Sequence, residues 1–141
     1  MSNPTETTRT LVIEREFPHP PQKLWRALTE SPLVAQWLMN NDFEPSVGRK
    51  FQFRSQPVPN WDGVIDCQVL AVEPLKRLSY TWGTMGMESV VEFALTPTAG
   101  GTHLRMQHSG FGAGQEQAYK GAKYGWTNFF NGLERVLAGL E

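Results

Sequence analysis

Three histidines, one cysteine and a glycine-spaced segment are the residues of this chain whose types invite chemistry. The histidines are His19, His103 and His108. None stands at a zinc-type spacing from another or from Cys67, so no metal site is expected. His103 and His108 are separated by an odd step along one strand pattern and fall on opposite faces. Cys67, the sole cysteine, excludes an intramolecular disulfide. Its mid-strand position reads as a buried thiol rather than a nucleophile. There is no Gly-x-Ser-x-Gly elbow, and Ser109 beside His108 points to the other face of its strand. Gly110-Phe-Gly-Ala-Gly114 sits between a strand and a helix, as a phosphate loop would. It lacks the later glycine and the parallel βαβ context, and reads as a flexible hinge.

Two inward-facing polar residues are better leads. Arg15 shares the strand face of Leu11, Ile13 and Phe17, and His108 shares that of Leu104 and Met106. An ionisable group there must be paired or solvated. In the structural reading Arg15 meets a carboxylate and His108 closes the sheet edge through a backbone hydrogen bond. In the functional reading they orient the polar head of an apolar ligand, and His108 is the one candidate acid or base near neutral pH. A larger signal is aromatic: five Trp, eight Phe and three Tyr. Trp37, Phe51, Phe53, Trp61, Tyr80, Trp82, Phe93, Phe111, Tyr119, Trp126, Phe129 and Phe130 form, with Met106, Arg15 and His108, the candidate ligand-binding set. Pockets for small molecules are mostly apolar with a few polar groups. The competing reading is that many of these rings fill a core, as Trp25 and Leu28 do. Met85 and Met87 flank Gly86 near a cavity mouth or in an ordinary turn.

The elements that must position these residues follow from periodicity. A strand over Thr8–Phe17 ends at Pro18. Pro21 starts a helix carrying Leu24, Trp25 and Leu28. Ser31 is expected to cap a second short helix, with Pro32 at its first position. Strands follow around Phe43, around Phe51 and Phe53, and over Val64–Glu73, Arg77–Trp82, Met87–Thr96 and Thr102–Ser109. The end of the chain, from Gln115 to Leu140, reads as one amphipathic helix with Trp126, Phe129, Phe130, Leu133, Val136, Leu137 and Leu140 at helical spacing. Gly121, Gly125 and Gly132 weaken it by about 1 kcal/mol each, which predicts close approach of another surface, or bending. The expected fold is α+β, a curved antiparallel sheet around a long C-terminal helix, with two short helices after the first strand. Residues 1–7 read as a flexible leader and 8–141 as a single domain.

The chain has 141 residues, 13 Lys and Arg against 14 Asp and Glu, and a formal charge of −1. Scattered basic residues without an excess argue against nucleic acid as a partner. No run of about 18 apolar residues exists to span a membrane. Without a signal-peptide core or paired cysteines, the cytoplasm is the expected compartment.

Nearly the whole chain, from Thr8 to Leu140, resembles a known superfamily. The residues that carry this are Arg15-Glu-Phe17 with Pro20-Pro21, Leu24-Trp-Arg-Ala-Leu-Thr29, Trp37, Pro45-Ser-Val-Gly48 with Phe51-Gln-Phe53, and Gly63-Val64. They continue with Val72-Glu-Pro74, Arg77-Leu-Ser-Tyr-Thr-Trp82, Val91-Glu-Phe93, Gly101-Thr-His-Leu104, His108-Ser-Gly-Phe111 and Gly125-Trp126. Their order and spacing resemble the helix-grip fold of the START and birch-pollen-allergen superfamily, SRPBCC. The finer resemblance is to the branch named after the C-terminal domain of the activator of the heat-shock-protein-90 ATPase. It implies an apolar cavity between the sheet and the C-terminal helix, a small hydrophobic, aromatic or lipid-like ligand, and no bound cofactor. Two alternatives stand beside it. One is a cochaperone-like module whose partner is the chaperone. The other is a cavity-based cyclase, lyase or hydrolase using His108, supported by Arg15 or Asp66. Glycine and proline clustering makes Gly110–Gly114 and the loop Gln56–Trp61 the expected gate.

Overall fold

The computed structural model describes residues 9–59, 61–84, 86–112 and 114–140. The leader expected over 1–7 and the turn residue Met85 lie outside them. The elements in chain order are β1 (Arg9–Phe17), α1 (Pro21–Thr29), α2 (Ser31–Trp37), β2 (Asn40–Asn41), β3 (Lys50–Arg54), β4 (Val64–Glu73), β5 (Arg77–Thr84), β6 (Met87–Thr98), β7 (Gly101–Phe111) and α3 (Glu116–Ala138). The strands form one antiparallel sheet in the order β1-β7-β6-β5-β4-β3-β2. Sequence neighbours pair from β2 to β7, joined by longer loops between β2, β3 and β4 and by short turns from β4 onward, and β1 closes the far edge against β7. A register shift between Val69 and Ala71 interrupts the β4–β5 ladder, and such a bulge bends a strand and increases its twist. The fold is the helix-grip α+β arrangement.

Inward residues alternate as pleating requires. Leu78, Tyr80 and Trp82 of β5, Val91, Phe93 and Leu95 of β6, and Leu104, Met106 and His108 of β7 are all buried. Against them α3 lays Trp126, Phe130, Leu133 and Leu137, also buried. Leu24, Ala27 and Leu28 of α1 and Val34 and Trp37 of α2 complete the core. The Trp37 indole N–H donates to the Ala27 carbonyl at 2.8 Å, tying the two short helices together. The close approach expected at the α3 glycines is not what the structure shows: a Cβ at Gly132 would make ordinary contact with Trp37 at 3.6–3.7 Å, one at Gly125 would meet only Phe129 at 4.0 Å, and one at Gly121 would meet nothing within 4 Å.

Three local expectations are corrected. Ser31 does not cap α2. It is the helix's first residue, the cap position is Glu30 without a side-chain bond, and the Ser31 hydroxyl donates to Asn41 Oδ1 at 2.8 Å. Phe43 lies beyond the two-residue strand β2, its backbone N–H taken by the Asn41 side chain, so it fills the core from a loop. β7 runs through Gly110 to Phe111. Gly110 has φ +112°, and a Cβ would sit 3.1 Å from Ser89 Cα. It is the unpaired residue of a β1–β7 bulge pressed against Ser89, rather than a hinge.

Gly101 is the tightest point of the sheet edge. A Cβ there would lie 2.0 Å from the Phe17 carbonyl oxygen and 2.8 Å from the His19 nitrogen. Both are backbone atoms that cannot swing aside. Gly101→Ala is therefore expected to cost about 3 kcal/mol, the upper range for forced overpacking. A guanidinium titration checks this. An unchanged midpoint would contradict the packing described.

Candidate ligand pocket

A cavity of ≈ 460 Å³ opens between the sheet and the first turns of α3. Its floor is Trp82, His108 and Phe111, with Thr84 and Met87 from the β5–β6 hairpin on one side. The opposite wall is Gly114, Gln115, Ala118, Gly121 and Ala122. This wall is why the cavity exists. Along α3 the stripe occupied by Trp126 and Phe130 continues backward through Ala122 and Ala118 at four-residue steps, so the helix keeps its path but loses the side chains that would reach the sheet. At Gly121 a Cβ would meet nothing within 4 Å.

The N-terminal end of α3 is held at its rim. Arg9 makes two 2.7 Å contacts to the Glu116 carboxylate and lies 3.9 Å over the Tyr119 ring. Tyr119 in turn meets Phe111 edge-on at 5.5 Å. The backbone N–H of Gly112 donates to Gln115 Oε1.

His108 is the polar centre of the floor. The Trp126 indole N–H donates to its Nδ1 at 3.0 Å. Nδ1 is therefore the unprotonated nitrogen, and Nε2 carries the hydrogen. Nε2 lies 2.8 Å from Ser89 Oγ, and the Ser89 hydroxyl donates onward to the Trp82 carbonyl at 2.8 Å. The resulting chain, Trp126 to His108 to Ser89 to Trp82, satisfies every member with a neutral imidazole. Burial pushes the His108 pKa down to about 4. The backbone bond expected for His108 is replaced by this side-chain relay.

This arrangement makes stability pH-dependent with a definite sign. The folded state resists protonation until about pH 4, whereas an unfolded histidine accepts a proton near 6.5. The contribution is intact above 6.5 and is lost as pH falls from there toward 4, by roughly 2.5 kcal/mol at pH 4.5. His108→Gln keeps an acceptor and a donor for the relay but cannot titrate. Denaturant unfolding at pH 7 and 4.5 is expected to show the smaller acid loss in His108→Gln. Equal losses in both proteins would contradict the assignment.

The other candidate residues divide between core, rim and surface. Phe51, Phe53, Tyr80 and Phe93 face inward but pack on one another, with ring separations from 5.2 to 6.1 Å along the cluster. Trp37, Met106 and Phe130 are buried in the core, and Phe129 is partly buried against it. Trp61 reaches the rim, where its indole N–H donates to Thr84 Oγ1 at 2.8 Å. Arg15 faces α3, bonded to Asn131 at 3.0 Å and paired with Glu134 at 3.3 Å, so the carboxylate-paired reading describes it. Asp66 accepts from Gln52 on the exposed side of the sheet. Burial, then the charge of Asp66, pushes the Cys67 thiol well up, leaving it protonated and inert. His103 pairs with Glu14 on the outer face. Among the described residues no group of three His, Cys, Asp or Glu is placed to hold a metal, and no helix is long and apolar enough to cross a membrane.

Comparison with known proteins agrees with this fold. The family model described as activator of Hsp90 ATPase homolog 1-like protein matches residues 18–138. The chain belongs to this family. Within the solved structures, the family member is similar to MLL2253 from Mesorhizobium loti, at 54% identity and TM-score 0.87, over 92% of this chain and 97% of that one. It is similar to BH1534 from Bacillus halodurans at 29% identity and TM-score 0.77, covering 92% and 96%. DynU16, from the dynemicin biosynthetic locus, matches at 28% identity and TM-score 0.79, over 92% of this chain but 47% of its own. No functionally curated protein matches the chain.

Proposed function

We propose that this member of the Hsp90-ATPase-activator-like family binds a small hydrophobic or aromatic molecule in the pocket between β5–β7 and the first turns of α3. One observation carries the reading: a floor of Trp82, Phe111 and His108 faces a helix wall reduced to glycine, alanine and one glutamine. Such a wall gives up packing that the same helix makes two turns later through Trp126 and Phe130. The volume falls in the range of small-molecule sites. The SRPBCC fold commonly serves hydrophobic ligands, and DynU16 comes from a biosynthetic locus. Both support the reading from outside the geometry. His108 is neutral with both nitrogens engaged, so the proposal gives it a positioning role and no proton to move.

Thermal melts across a library of neutral apolar and aromatic compounds test this. A ligand at about a hundred times its Kd stabilises the folded state by about 2.7 kcal/mol, so saturable rises in Tm are expected for some compounds. No stabilisation by any of them would overturn the proposal.

A further inference from the structure

The polar atoms of the pocket lining are unevenly satisfied. Nδ1 and Nε2 of His108 are both engaged. The Thr84 hydroxyl accepts from Trp61 and donates to the Val64 carbonyl at 3.1 Å. Gln115 Oε1 takes the Gly112 N–H. Two side-chain groups remain without a partner among the described residues, Gln115 Nε2 and the Trp82 indole N–H. Both are donors, and neither can accept. No Lys, Arg, Asp or Glu lines the cavity, and the negative charge favoured at the start of α3 is already supplied by Glu116, paired with Arg9.

From this inventory we infer that the pocket selects an uncharged aromatic ligand bearing a hydrogen-bond acceptor, such as a ketone or lactone oxygen, and that Gln115 is the residue that recognises it. The inference rests on the proposed binding function and narrows it. A ligand offering only donors would find only the second lone pairs of Gln115 Oε1 and Thr84 Oγ1, oxygens already bonded, and would leave both free donors unmatched. A carboxylate would be desolvated beside no cationic side chain. A pure hydrocarbon would fill the volume but leave the Gln115 amide to lose water without replacement. The Oε1 bond to Gly112 fixes which end of the amide is free, so the backbone at the β7–α3 turn orients the donor.

Gln115→Glu isolates this donor. The carboxylate keeps an oxygen for the Gly112 N–H and replaces the NH₂ with an acceptor of nearly the same size. The probes are naphthalene, its methyl ketone and the matching naphthoate, titrated against intrinsic Trp fluorescence. The wild-type protein is expected to bind the ketone about tenfold tighter than naphthalene, the span of one neutral hydrogen bond, and the naphthoate weakest. In Gln115→Glu the ratio of ketone to naphthalene affinity is expected to fall to about one or below, whatever the added charge does to both affinities. A ketone preference that survives Gln115→Glu, a wild-type protein indifferent to the ketone, or tightest binding of the naphthoate overturns the inference. If no naphthyl probe binds but apolar library compounds without an acceptor do, the inference fails and the pocket reading stands. If nothing in the library binds, both fail.

Discussion

Trp126→Ala is expected to cost 3–5 kcal/mol, the range for truncating a large buried aromatic, and so to raise the pH at which acid unfolding sets in. Trp126 is 2% exposed and meets Trp82, Phe93, Phe129 and Phe130 at ring separations of 5.2, 5.9, 5.5 and 6.5 Å. It also supplies the only hydrogen bond to His108 Nδ1 among the described residues. Truncation therefore leaves a cavity and an orphaned acceptor together. Trp126→Phe separates the two. It keeps an aromatic ring in the packing while removing the N–H and part of the bicycle, for an expected loss between that of wild type and Trp126→Ala, of which about 1–3 kcal/mol is the cost of one unsatisfied buried polar group. Chemical unfolding of the three proteins checks the order. Trp126→Phe behaving like wild type would mean that the indole–imidazole bond contributes nothing.

Gly121→Trp is expected to abolish ligand binding while preserving the fold. A Cβ at Gly121 meets nothing within 4 Å, and the position lines the cavity, so an indole placed there has room to enter the space a ligand would fill. Removing glycine from a helix interior gains roughly half a kcal/mol in propensity. The variant should melt at or above the wild-type temperature. Its affinity for any compound identified by thermal shift should fall by about a hundredfold or more, near 2.7 kcal/mol of lost binding energy. Retained affinity would place the ligand elsewhere on the molecule.

Elements defined by strong alternation were legible from residue order alone. β4 runs over Val64–Glu73 as read, because β-branched residues are bounded by Gly63 and Pro74. α1 begins at Pro21 as read, where proline's missing N–H is an advantage. Elements decided by tertiary contacts were not. Phe43 has a strand-like neighbourhood, but its backbone is claimed by the Asn41 side chain. Gly110 looks like a hinge in a glycine-rich run, and only the approach of Ser89 shows why glycine is needed.

The site divides in the same way. Trp82 and His108 are conspicuous as aromatic and ionisable side chains on an inward strand face, whereas Phe111 stands out only as a ring in a glycine-rich run and is placed by the extension of β7 to that residue. The helix wall did not. Ala118, Gly121 and Ala122 carry almost no hydropathy signature, and Gln115 reads as a solvated residue at a helix start. The available signal was an interruption: the stripe ending at Trp126 continues backward in small residues rather than polar ones. Whether an inward ring is floor or filling depends on what faces it. Phe51 and Phe53 face Tyr80, while Trp82 and Phe111 face that small-residue wall.

The central claim is that the space beside Gly121 holds a small molecule. Native mass spectrometry after exposure to a lysate of the source organism tests it most directly, with wild type and Gly121→Trp run side by side and each denatured for its apo mass. The account predicts a reproducible added mass on the wild-type protein, lost on denaturation and absent from Gly121→Trp. An adduct of equal abundance on both proteins, or none on the wild type, would contradict it.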